Sequence, residues 1–274
     1  MIGIVGGIGP MAGADLYKKI VENTMANSDQ EHLPVLLASI PNEIVDRTEY
    51  LLGRISENPA PALAKVVLLL ERAGSKHIGI ACNTAHAPQI FDPLLSILKA
   101  NGSQADIVNM IDETVLAIQS HQTKIQRIGL LSTSGAYQTG IYQNRMEAAG
   151  LTPILLDFEK HEALSQRAIY EIKAASTEIP QGSIDRLNTA IQMLKNLGAQ
   201  AIVLGCTELG MIENRLDFGG LEVFNPNLIL ARALIERAFP EKLKVAHPDQ
   251  HTARKYHLPS HQQSKQLAIP EMMK

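Results

Sequence analysis

The chain has 274 residues, 45% hydrophobic and 19% charged, which gives a globular composition with room for one large or two ordinary domains. A net charge of -3, with 4% aromatics and no Trp, excludes a basic, base-stacking nucleic-acid surface and a general attraction to anionic membranes. No run of about 18 apolar residues is present to span a bilayer, and the opening MIGIVGGIGP lacks the basic region of a signal peptide. Two cysteines without a secretion signal predict a reducing, cytoplasmic setting and two free thiols.

In chain order, continuous apolar runs predict strands at 2–5, 35–40, 77–81 and 106–110, then at 127–132, 153–157, 200–205 and 222–224. Runs that do not alternate belong to strands buried on both faces, as in parallel sheets covered by helices. Between them, Leu63, Val66, Val67 and Leu70 mark an amphipathic helix closed by Gly74; Ile184, Leu187, Ile191 and Leu194 mark another closed by Gly198.

The second half repeats the first. GSKHIGIAC at 74–82 answers GAQAIVLGC at 198–206, with both ends 124 residues apart. Ile2-Gly3-Ile4-Val5 answers Ile128-Gly129-Leu130-Leu131, and Asp106–Asn109 answers Glu222–Asn225, in the same order. The expected fold is α/β, with two similar lobes related by a pseudo-two-fold duplication. Each lobe is a short parallel sheet flanked by helices, and the active site lies between them. Residues 1–102 and 210–240 are expected to form the first lobe, 103–209 the second, and 241–274 a polar, loosely docked tail. Four of the nine histidines (His247, His251, His257, His261) fall in that tail at spacings that fit no zinc motif, so no metal is expected.

Cys82 and Cys206 each follow the last strand residues of a repeat, where open α/β sheets bind ligands. The chain then turns toward a helix start, whose free N–H groups favour a thiolate. A lone cysteine at such a place is more often part of the core. Two, at equivalent ends of a duplicated chain, instead suit proton removal from one face of a carbon and delivery to the other.

Ala81-Cys82-Asn83-Thr84-Ala85-His86 and Gly205-Cys206-Thr207-Glu208-Leu209 resemble the signature pair of the aspartate/glutamate racemase superfamily, closest to its aspartate racemase branch. The resemblance extends over Gly6–Pro10, Val45–Thr48, Asn109–Thr114 and Tyr170–Lys173, so it covers about residues 2–238. It implies an amino-acid racemase that needs neither metal nor other cofactor. Cys82 and Cys206 exchange the acid and base roles. Asn83, Thr84 and Thr207 hold the α-carboxylate and ammonium, and Glu208 and His86 tune the thiols or brace their loops. Arg47, read as a loop residue after the second strand, and Lys173, in a helical stretch, would bind the side-chain carboxylate of aspartate or glutamate. The resemblance also suggests a homodimer with a small-molecule substrate as its other partner. Two departures stand out. Gly135-Ala136 replaces a frequent Gly-Thr, and Asn225 replaces a frequent aspartate.

Rival readings differ in class. Gly7-Ile8-Gly9-Pro10-Met11-Ala12 matches a GxGxxA dinucleotide loop, yet Pro10 stiffens it and no acidic residue ends the second strand. The same fold and thiols also suit hydantoin racemisation, maleate isomerisation or malonate decarboxylation. A non-catalytic sensor is the third class.

Overall fold

Eight short strands form two four-stranded sheets in the computed structural model, which describes residues 1–175 and 178–245. The first half runs β1 (Ile2–Gly6), α1 (Pro10–Asn23), β2 (Val35–Ser39), α2 (Arg47–Leu51), α3 (Ala60–Arg72), β3 (His77–Ile80), α4 (Pro88–Ala100), β4 (Asp106–Val108) and α5 (Met110–Gln119). The second half runs β5 (Arg127–Ser132), α6 (Ser134–Thr139), α7 (Ile141–Ala148), β6 (Thr152–Ile154), α8 (Phe158–Lys160), a π-helical segment His161–Gln166, and α9 (Arg167–Ala174). It ends with α10 (Gln181–Asn196), β7 (Ala201–Gly205), α11 (Thr207–Met211), β8 (Glu222–Phe224) and α12 (Pro226–Ala238). None of the described helices is long and apolar enough to cross a membrane.

The sheet orders are β2-β1-β3-β4 and β6-β5-β7-β8, and every pair is parallel. The two halves therefore share one topology, as the repeated sequence predicts. Alternate side chains feed opposite faces of each sheet. Ile2 and Ile4 enter one core and Val5 another; Ala201 and Val203 enter a third and Ile202 and Leu204 a fourth. Gly74 and Gly198 end their helices at φ 99° and 89°, backbone that residues with a Cβ rarely adopt.

Three expectations need correction. Four strands stop earlier than expected, β2 at Ser39, β3 at Ile80, β4 at Val108 and β6 at Ile154; at β4 a cap intervenes, since Asn109 accepts from Ile111 N and Asp112 N to start α5. The lobe boundaries also move. The expected break at 102/103 falls before β4, which completes the first sheet by pairing with β3, while β8, assigned to the first lobe, completes the second by pairing with β7. The following helices cross over: α5 supplies Ile111, Val115 and Ile118 to the second lobe's core, and α12 supplies Leu230, Leu234 and Ile235 to the first. Finally, the tail does not start loose at 241. Met25 N donates to Lys242 O, Lys244 N to Asn23 O, and Thr24 bridges to Leu243. The remainder of the tail with its four histidines lies outside the described residues.

Candidate active site

Parallel pairing puts the carboxyl ends of β1, β3, β5 and β7 toward one cleft. Val5 pairs with Ile80 and Ser132 with Gly205, so Cys82 and Cys206 emerge at matching heights on the two sheets. Both thiols are free and line one cavity, together with Asp46, Arg47, Thr48, Asn83, Thr84, Thr133, Lys173, Thr207 and Glu208. The cavity encloses about 280 Å³ of non-atom space, including that open to solvent. Of the nine residues given roles by the sequence, all but His86 meet there.

Cys206 is the N-cap residue of α11, and its Sγ donates to Glu208 Oε2 at 2.9 Å. Thr207 Oγ1 donates to the same oxygen at 3.2 Å, and Lys173 Nζ pairs with Glu208 Oε1 at 3.0 Å. Burial opposes the charge on Glu208, but Lys173 and the Cys206 thiol overcome it and hold the carboxyl below its usual range. Burial likewise opposes the Lys173 ammonium, and Cys206 and Glu208 outweigh it, so the pKa rises. The Cys206 thiol is pushed well up by burial and then by Glu208, with Lys173 a partial offset. The expected helix-start thiolate is therefore not the resting form of Cys206.

Arg47 is not in a loop. It is the first residue of α2, where Asp46 caps the helix by accepting from Glu49 N. Its Nη2 donates to Ile8 O at 2.9 Å and its Nη1 to Val45 O at 3.2 Å, while buried Nε has no acceptor among the described residues. Burial works against the guanidinium charge, and Cys82 and Asp46 hold it. Asn83 accepts from Tyr142 Oη, and its buried Nδ2 also lacks a partner there. Two unpaired donors thus stand at the cavity, a costly arrangement unless a ligand accepts from them.

His86 braces the first thiol loop. Nδ1 meets Cys82 O at 2.9 Å and Nε2 accepts from Met110 N at 3.4 Å, which fixes the neutral tautomer with hydrogen on Nδ1. Burial lowers its pKa to about 4.

Sequence reading passed over Thr133 and gave no role to Asp46 and Thr48, although both stand in a quoted motif. Thr133 was recognisable as the polar residue after β5, the position matching the glycine loop after β1. Its hydroxyl lies 3.0 Å from Thr84 Oγ1 across the lobes. Gly135 keeps the glycine of that pair, and a Cβ there would stand 3.0 Å from Thr48 Cα; the residue that departs is Ala136, fully buried in the second lobe's core, and nothing in the structure explains that change. The Asn225 departure is structural. Its amide donates to Gly210 O and Glu213 Oε2, which a carboxylate could not do. Among the described residues no group of three or more potential ligands is arranged for a metal.

A model of the Asp/Glu/Hydantoin racemase family matches residues 5–234. The chain belongs to this family. A Picrophilus torridus aspartate racemase superposes with a TM-score of 0.73 at 28% identity, over 89% of this chain and 95% of that one. An aspartate racemase homologue from Pyrococcus horikoshii gives 0.64 at 24% identity, over 86% and 98%, a likeness of fold. A Pectobacterium carotovorum protein of uncharacterised role from the pnlA 3' region is 30% identical over 112 residues, 40% of this chain and 69% of that protein. Within the racemase family, the chain thus sides with the aspartate racemase branch. Its glycine loop does not offer the open helix start that a dinucleotide pyrophosphate needs: a Cβ on Gly9 would stand 2.9 Å from Glu208 Oε1.

Proposed function

We propose that the chain racemises a small acidic amino acid, aspartate before glutamate, by proton transfer between Cys82 and Cys206 without a cofactor. The observation that carries this reading is that two thiols, arriving from opposite lobes, line one small cavity with two cations, Arg47 and Lys173. One sulfur takes the α-proton as the other delivers one to the opposite face. The carbanion is stabilised by fixed donors, for which Asn83 Nδ2 is the unpaired candidate, while Arg47 Nε is left for the side-chain carboxylate. Thr84 and Thr207 add hydroxyls at the α-carbon end. The cation pair favours a dicarboxylate over a hydantoin.

The test is incubation of each aspartate and glutamate enantiomer with pure protein in deuterated water, followed by chiral chromatography and mass analysis. Inversion with one deuterium at Cα supports the proposal. Turnover of maleate or a hydantoin without amino-acid inversion replaces it.

A further inference from the structure

The two thiols are equally buried, 6% exposed for Cys82 and 5% for Cys206, yet their charged neighbours differ, with a carboxylate as well as a cation beside Cys206. Cys82 lies on the Arg47 side, and Cys206 donates its hydrogen to Glu208. Glu208 is fixed from three directions. Lys173 holds Oε1, Thr207 shares Oε2, and the backbone of Gly9, at φ 126°, packs so closely that only glycine fits. The titratable and charged groups around Cys206 are Glu208 on its own helix, Lys173 from α9, Cys82 across the cleft and Tyr142 from α7. Arg47 and Asp46 stand beyond Cys82.

We propose that Glu208 is a positioning residue that makes the thiols unequal, holding Cys206 as the S–H donor of the resting site and leaving Cys82, beside Arg47, as the acceptor. A carboxylate that accepts the S–H hydrogen bond would instead repel the thiolate, so the same contact both orients the proton and keeps it on sulfur. Burial acts in the same sense, and Lys173 is partly spent on Glu208. The catalytic meaning of this inequality rests on the two-thiol reading, but the inequality itself is a property of the substrate-free protein. It has to be read from the thiols directly. Enantiomers have equal free energy, so kcat/KM is the same in both directions whatever the resting state.

The experiment is the initial rate of alkylation by iodoacetamide on the whole chain, assigned to each cysteine by peptide mass spectrometry from pH 6 to 10. The pH dependence of each rate, rather than its absolute size, separates thiolate fraction from access. Near neutral pH, Cys82 should react about tenfold or more faster than Cys206. Glu208→Gln should raise the Cys206 rate about tenfold and lower its pH midpoint by about one unit, since Lys173 then faces the sulfur alone. Glu208→Asp, which keeps the charge, should hold that midpoint high, and the Cys82 rate should stay within about twofold in both variants. Equal rates in the unaltered chain, an unmoved Cys206 midpoint in Glu208→Gln, or a joint rise of both rates overturns the proposal. A joint rise would show that Glu208 merely holds the fold closed. Unequal thiols in a chain with no racemase activity would retire the functional reading and leave this one standing.

Discussion

Arg47 Nη2 donates to the Ile8 carbonyl at 2.9 Å, so the first residue of α2 is tied to the glycine loop after β1. The guanidinium therefore does two jobs. Two nitrogens secure the loops on the acceptor side of the cleft, and Nε is left for a ligand. Arg47→Ala should cost about 2–5 kcal/mol in kcat/KM for aspartate, the usual loss when one partner of a desolvated charge pair goes. A neutral amino acid should lose far less. Arg47→Lys should not rescue, because one ammonium cannot reach both carbonyls and the substrate. Steady-state kinetics on aspartate and alanine decide it, and unchanged aspartate kcat/KM would remove Arg47 from the site.

The strands were legible because β1, β3, β5 and β7 are apolar on both faces, a pattern that needs no partner to be read. The cysteines were legible because each ends such a run. Lobe membership was not. α12 is buried nearly all round, so its sequence carries no stripe to say which sheet it serves, and α5 and α12 each pack on the other half. The bond between Glu208 and Cys206 was half visible, two residues apart in sequence. That Lys173 would reach the same carboxylate depends on how α9 lies against α11, which no local pattern encodes.

His86 should be neutral throughout the working range. Its pKa of about 4 lies below the usual histidine value near 6.5, so the unfolded chain takes up this proton first as pH falls. The sign follows. Its contribution to stability is complete above about pH 6.5 and is lost progressively as pH falls toward 4, by about 1.4 kcal/mol per unit across that window. NMR titration of the imidazole should show a midpoint near 4, and the activity profile should have no limb due to His86. A midpoint above 6 would mean that the Cys82 and Met110 contacts are not its resting partners.

Asn225→Asp restores the residue frequent in the resembling sequences and should nevertheless destabilise this chain. The new carboxylate would face Glu213, whose Oε2 accepts from Asn225 Nδ2 at 2.8 Å, and Gly210 O would lose a donor. A loss of about 1–3 kcal/mol is expected at neutral pH. Burial holds the Glu213 carboxyl above its usual range, with the Asn225 hydrogen bond a partial offset. Protonation should therefore relieve the clash, and the deficit should shrink as pH is lowered toward 5. Thermal unfolding of both chains at pH 7.5 and 5 measures this; a deficit that grows on acidification would count against the contact.

The two thiols make the sharpest prediction because they are not interchangeable. Each Cys→Ser change should abolish net inversion, since a serine hydroxyl is a far weaker acid than a thiol and cannot serve near neutral pH. The surviving cysteine still reaches the α-proton on its own face. Cys206→Ser leaves Cys82, next to Arg47, and should retain exchange of one enantiomer with deuterated water at neutral pH. Cys82→Ser leaves Cys206, whose thiol is held high by burial and Glu208, so exchange should be confined to the opposite enantiomer. It should be slow at neutral pH and rise about tenfold per unit as the solution is made more basic, the slope of a base titrating above the working pH. Mass analysis of each recovered enantiomer across pH 6–10 separates the cases. Exchange of the same enantiomer in both variants, or full inversion in either, would show that Cys82 and Cys206 do not face one carbon from opposite sides.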